Sequence, residues 1–204
     1  SEMCIRDRPY IYQGEELGMT NRKCRDFSEF RDIEIKNAYR DFVGGGILDE
    51  ETMLKFVNAI GRDNARFPMH WDDSDNAGFT TGTPWISVNE NYKKINAAAQ
   101  VNDPDSIFSY YKKLIELRHQ MEIIVYGVYK SKAIEHPDVF AYTRTLGEEK
   151  LFVVCNFREQ EMDFTLEDGF TGDEKVLISN YDDVVKTENG IYLRPYEAKV
   201  FYRK

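Results

Sequence analysis

The sequence predicts an α/β segment followed by an antiparallel β-sandwich, with the boundary near residue 121. Three observations carry this reading. A short β-branched and aromatic run, Tyr10-Ile11-Tyr12, stops at Gly14 and opens into a polar, acidic loop, the pattern of a buried strand leading into a barrel-top loop. Helix-period segments alternate with irregular chain as far as Gln120. Beyond that point the apolar period falls to about two, in short runs at close spacing, as in a sandwich.

Taken in order, residues from Phe27 to Phe42 read as helical, and Gly44-Gly45-Gly46 ends them because glycine is costly inside a helix. Asp49 is a plausible N-cap for a second helix. Its residues Met53, Phe56, Val57 and Ile60 share one face, and Gly61 closes it. Residues 62–104 look irregular, with Trp71 and Trp85 embedded; a loop of that length points to function. Asp103-Pro104 reads as the start of a third helix, with Ile107, Tyr110, Tyr111, Leu114 and Leu117 on its apolar face and an end near Gln120. The expected strands are Ile123–Tyr129, Val139–Thr145, Leu151–Phe157, Met162–Leu166, Val176–Ser179, Ile191–Leu193 and Ala198–Tyr202, with Gly147-Glu148-Glu149 as a hairpin turn.

Composition narrows the function classes. The 204 residues carry a net charge of −9, which argues against nucleic acid or an anionic membrane surface as partner and suits a neutral ligand. The three cysteines, Cys4, Cys24 and Cys155, form no CxxC pair. That spacing offers neither a disulfide framework nor a zinc site, so a reducing, cytoplasmic setting and no metal or other cofactor are expected. No apolar run reaches the length of a membrane span and no signal peptide is read at the start. Oligomeric state is not legible. The opening residues, Ser1 to Arg8, do not fit the pattern of the chain beyond them and look like a translated sequencing-adapter scar, to be set apart from the fold.

The segment richest in chemistry is Arg62-Asp63-Asn64-Ala65-Arg66-Phe67-Pro68-Met69-His70-Trp71-Asp72-Asp73, continuing to Asn76-Ala77-Gly78-Phe79-Thr80 and Pro84-Trp85-Ile86. Arginine offers planar, fixed donors suited to vicinal sugar hydroxyls. The plainer reading of Arg62 and Asp63 is that they pair with each other to hold the loop. This stretch resembles glycoside hydrolase family 13, the α-amylase family, and within it the oligo-1,6-glucosidase subgroup, to which dextran glucosidases and trehalose-6-phosphate hydrolases also belong. Pro9–Asn21 resembles the family's eighth barrel strand and following loop, Asn96–Gln100 and Asp105–Ile115 its last barrel helix, and Leu193–Ala198 its closing β strands.

The resemblance implies that residues 9–121 are the C-terminal piece of a (β/α)₈ TIM barrel and residues 122–204 an antiparallel β domain. It also implies a retaining mechanism, in which one carboxylate attacks the anomeric carbon and another serves as acid and then base. In the family those carboxylates, with a third aspartate, follow barrel strands four, five and seven. All lie ahead of the part that matches Pro9, so no catalytic residue is assigned here and the chain alone is expected to be inactive. What carries over is substrate binding: Arg66 to hydroxyls of the non-reducing glucose of a small oligosaccharide, Glu15 near the sugar, and Trp71 in the wall behind it, with simple loop packing as the other reading of Trp71. The family has threonine at the position of Phe67 and glutamine at that of His70, so the fine shape of the pocket differs; His70 is read as buried or as a substitute hydrogen bonder. A non-catalytic relative, like the glucosidase-like heavy chains of amino-acid transporters, and a stand-alone carbohydrate-binding module are the readings of another class.

Overall fold

The computed structural model describes residues 9–204, so the adapter expectation for residues 1–8 lies outside the described residues. The chain divides into two compact units, residues 10–112 and 113–204.

In the first unit Tyr10-Ile11-Tyr12 is exposed chain outside any regular element, not a buried strand. A strand exists through its hydrogen-bonded neighbours, and among the described residues none pairs with it. The expected helix over 27–42 is interrupted. A short turn at Phe27–Glu29 gives way to extended backbone at Phe30, and α1 (Ile33–Ala38) then runs into a wider π turn at Tyr39–Val43. The break is built in by Asp32, whose carboxylate accepts from the Glu34 N–H at 2.9 Å and so caps a new helix where the pattern alone ran straight through. Helix α2 (Glu50–Ile60) starts as read, with Asp49 accepting from Thr52 N–H at 2.8 Å. Its Met53 and Val57 enter a core with Cys24, Phe30 and Ile35, whereas Phe56 and Ile60 of the expected face stay exposed.

The stretch after Gly61 is irregular, as expected, apart from short 3₁₀ turns and the one-turn α3 (Ala97–Gln100). Helix α4 (Ile107–Gln120) begins three residues later than the Asp103-Pro104 start expected. Asp103 caps only a turn, accepting from Asp105 N–H, and the helix is capped by Ser106, whose Oγ accepts from Ser109 N–H at 3.2 Å.

In the second unit the run expected as a strand at Ile123–Tyr129 is instead helix α5 (Glu122–Tyr126) followed by β1 (Val128–Lys132). The β-branched pair Ile123-Ile124 favours a strand locally, but Ile123 is fully buried and Gly127 ends the turn; burial overrides propensity. The remaining strands are β2 (Val139–Leu146), β3 (Glu149–Asn156), β4 (Met162–Thr165), β5 (Lys175–Ser179), β6 (Val185–Thr187), β7 (Gly190–Leu193) and β8 (Ala198–Arg203). Of these only the short, mostly exposed β6 is not among the expected strands.

All pairings among the described residues are antiparallel, in a five-stranded sheet of order β1-β2-β3-β8-β5 and a three-stranded sheet of order β4-β7-β6. Leu146 pairs with Glu149, so the hairpin turn is the two residues Gly147 and Glu148, and Gly147 supplies the positive φ of 59° that such a turn needs. The core lies between the sheets: Ala141, Phe152, Val154 and Phe201 from one meet Phe164, Ile191 and Leu193 from the other, the alternate residues of each strand.

Beside that core sits a buried charged cluster. Glu197 and Lys199 are ion-paired and almost wholly enclosed. The Lys199 ammonium also donates to Ser179 Oγ at 3.0 Å and to the Asp183 carbonyl at 2.7 Å. Arg194 donates through Nε to Glu197 at 2.9 Å and lies over the Tyr181 ring at 4.0 Å.

Candidate functional site

The arginine-rich segment forms its site from two short stretches of the first unit. Gly61 ends α2, and Arg62–Ala65 turn once as a 3₁₀ helix, which places Asp63 inward and leaves Arg66 at the turn's end. The N-cap residue of α1, Asp32, comes up beneath them. Arg62 grips Asp32 in a two-pronged pair, Nε to Oδ2 at 2.7 Å and Nη2 to Oδ1 at 2.9 Å. Those bonds hold the Asp32 carboxyl at about 2, well below the usual carboxylate value, although its burial works the other way.

Arg66 points its Nη1 at Asp63 Oδ1, 3.2 Å away, with Asp32 Oδ2 at 3.5 Å. The expected Arg62–Asp63 pairing is therefore corrected. Arg62 pairs with Asp32, and Asp63 with Arg66, because the helical turn carries residues 62 and 63 to different sides. Asp63 is buried, and its second oxygen accepts from the backbone N–H groups of Arg31 at 2.7 Å and Asp32 at 3.1 Å.

Glu15 is placed by its own loop. Its carboxylate accepts from Tyr12 N–H at 3.2 Å, while Glu16 accepts from Gly14 N–H at 2.9 Å, so both hold the loop as acceptors. The Tyr12 hydroxyl donates to the Ala65 carbonyl at 2.6 Å and ties this loop to the arginine turn. Between them lies a cavity of about 120 Å³ lined by Tyr12, Glu15, Asn64, Ala65 and Phe67 among others. Of the three expected substrate-binding residues, Glu15 lines it and Arg66 and Trp71 do not.

Trp71 stands half exposed on a neighbouring loop, fixed by backbone bonds from its N–H to the Ala77 carbonyl and from Ala98 N–H to its own carbonyl, each 2.9 Å. That loop turns through three successive residues of positive φ: Asn76 (53°), Ala77 (58°) and Gly78 (65°). At Gly78 a β-carbon would fall 2.6 Å from the Asp72 carboxylate, so the position requires glycine.

His70 is fully buried, and its Nδ1 lies 2.8 Å from the Ile95 carbonyl. A carbonyl only accepts, so Nδ1 carries the proton; burial lowers the imidazole pKa and keeps the ring neutral. No group of three or more metal-ligating side chains occurs among the described residues, and no helix among them is long and apolar enough to cross a membrane.

Asp32 is the site residue that sequence reasoning missed, and Asp63 is the one it gave the wrong partner. Asp32 is legible only as a helix cap, and nothing in the spacing of residues 32 and 66 brings them together.

The family comparisons bear on the same stretch. Residues 2–127 match the model of the α-amylase catalytic domain, and residues 139–200 match the C-terminal domain of the α-amylase SusG. The chain belongs to the α-amylase family. It is 51% identical over 195 residues to an oligo-1,6-glucosidase of Parageobacillus thermoglucosidasius, covering 95% of this chain and 35% of that protein. It is 45% identical over 196 residues to a trehalose-6-phosphate hydrolase of Bacillus subtilis, again covering 95% and 35%. Among solved structures, the trehalose-6-phosphate hydrolase of Bacillus licheniformis superposes with a TM-score of 0.88 at 45% identity, over 95% of this chain and 35% of that one. The chain thus spans about a third of the length of these relatives.

Proposed function

We propose that this chain is the C-terminal third of a retaining, cytoplasmic α-glucosidase that cleaves α-1,6 bonds of short oligosaccharides from the non-reducing end. Residues 9–121 would complete the catalytic barrel and residues 122–204 would form the β domain that supports it. The observation that carries this reading is the 51% identity to an oligo-1,6-glucosidase over 95% of the chain. The catalytic carboxylates would come from the remaining two-thirds; this chain's contribution is the Arg66 fork, toward sugar hydroxyls, with Glu15 and Trp71 shaping the wall. The 45% identity to a trehalose-6-phosphate hydrolase supports a second reading in which the sugar is phosphorylated.

The test is to read the gene upstream of the Pro9 codon and assay the full-length product on isomaltose and on trehalose 6-phosphate. Hydrolysis of isomaltose, weakened through a raised KM on Arg66→Ala, is the expected result. Preference for the phosphorylated disaccharide selects the second reading. A native gene that opens at Ser1, or activity indifferent to Arg66→Ala, refutes the proposed role.

A further inference from the structure

We infer that Asp63, backed by Asp32, is a positioning residue that aims the Arg66 guanidinium for the sugar. The inference rests on the proposed role of Arg66 in substrate binding. Arginine is a long side chain with five N–H donors, and a free one samples many rotamers. Arg66 is not free. Its Nη1 lies against two buried carboxylates, Asp63 at 3.2 Å and Asp32 at 3.5 Å, while the side chain keeps 38% of its surface exposed. The anchored edge faces protein. Among the described residues neither Nε nor Nη2 has a hydrogen-bond partner, so those donors remain for a ligand.

The two carboxylates divide the work. Asp32 is already matched by the two-pronged bond from Arg62 and by the Glu34 N–H, so it contributes mainly charge behind the fork. Asp63 sets direction. One of its oxygens is held by two backbone N–H groups, which fixes the plane of the carboxylate and leaves the other oxygen for Arg66. A donor held in place before the substrate arrives binds it without a fresh cost in side-chain ordering.

Asp63→Asn separates aim from fold. The amide oxygen can keep both backbone bonds, but the amide NH₂ then faces Arg66 Nη1, donor against donor, and turns the guanidinium away. In the intact 204-residue chain, ¹⁵N relaxation of the arginine side chains should show Arg66 rotating at least about tenfold faster after Asp63→Asn, with Arg62 unchanged. An unchanged Arg66 overturns the inference. In the full-length enzyme, Asp63→Asn should lower kcat/KM about tenfold, chiefly through KM, as loss of one charge-assisted hydrogen bond implies.

The decisive comparison is the double variant: in an Arg66→Ala background Asp63→Asn should add less than about twofold. Full additivity would mean that Asp63 acts on structure alone, and the positioning role fails. If Arg66→Ala leaves KM unchanged, the substrate-binding reading fails instead, and the relaxation data still report whether Asp63 holds the arginine.

Discussion

Replacing Asp32 with asparagine should destabilise the first unit by about 2 kcal/mol at pH 7, with the loss disappearing in acid. Asp32 is buried, and its carboxyl is lowered from 3.8 to about 2. At about 1.36 kcal/mol per pKa unit, that difference is worth somewhat over 2 kcal/mol when the group is ionised in both states. Half-exposure of the Arg62 side chain trims the figure, since its charge is partly screened by water. The same exposure lets Arg62 swing into solvent in the variant, so the 3–5 kcal/mol penalty of an orphaned buried charge, roughly what a sealed pair incurs, does not apply. The cap survives, because the asparagine oxygen can still accept from Glu34 N–H.

The sign follows from a folded pKa below the unfolded one. The stabilisation is fully present above pH 3.8 and is lost as pH falls through about 2, where only about 0.4 kcal/mol remains. Both tryptophans, Trp71 and Trp85, lie in residues 10–112, so urea unfolding followed by tryptophan fluorescence reports this unit alone. A difference between Asp32→Asn and the parent that stays constant from pH 7 down to pH 2 would refute the reasoning.

Two further outcomes follow from the β domain. Glu197→Gln should cost about 3–5 kcal/mol, read by urea unfolding followed by far-UV circular dichroism, because it leaves the enclosed Lys199 ammonium without its counter-charge; a loss under about 1 kcal/mol would show that Ser179 and the Asp183 carbonyl suffice. The Cys155 thiol is pushed up to about 11 by burial, so at pH 8 it should resist iodoacetamide in the folded chain and react on adding urea, and mass spectrometry showing rapid native labelling would contradict that.

The β domain was largely legible in the sequence because its strands are half-buried, and half-burial prints a period of two on the residues: Phe152 and Val154 face inward with Val153 between them. Where burial was not alternating, the reading failed. Ile123 is buried within a helical turn, and β6 is too exposed to carry a pattern. In the first unit Asp49 announced its helix through the chain's own neighbours, three residues away. The Arg66 cradle could not be read that way. Asp32 and Asp63 are 31 residues apart and meet through the Arg31–Asp32 backbone, a contact that no local spacing encodes. The strand expected at Tyr10–Tyr12 failed for a different reason: a strand's identity lies in partners, and the described residues contain none.

The left-handed run at Asn76, Ala77 and Gly78 bears on the order in which this chain folds. Left-handed backbone costs about 1–2 kcal/mol for each residue with a side chain, so two such residues in succession are rare in the unfolded ensemble. What offsets the cost is the Ala77 carbonyl, which accepts from Trp71 N–H at 2.9 Å and Asp72 N–H at 3.3 Å, together with complete burial of Ala77 itself. The hydrogen bonds belong to the turn itself, whereas the burial of Ala77 arrives only with the surrounding chain. The loop that presents Trp71 accordingly completes its shape only when its surroundings close over Ala77, and a synthetic peptide of residues 69–82, which keeps the hydrogen bonds but not that burial, should hold it only in part.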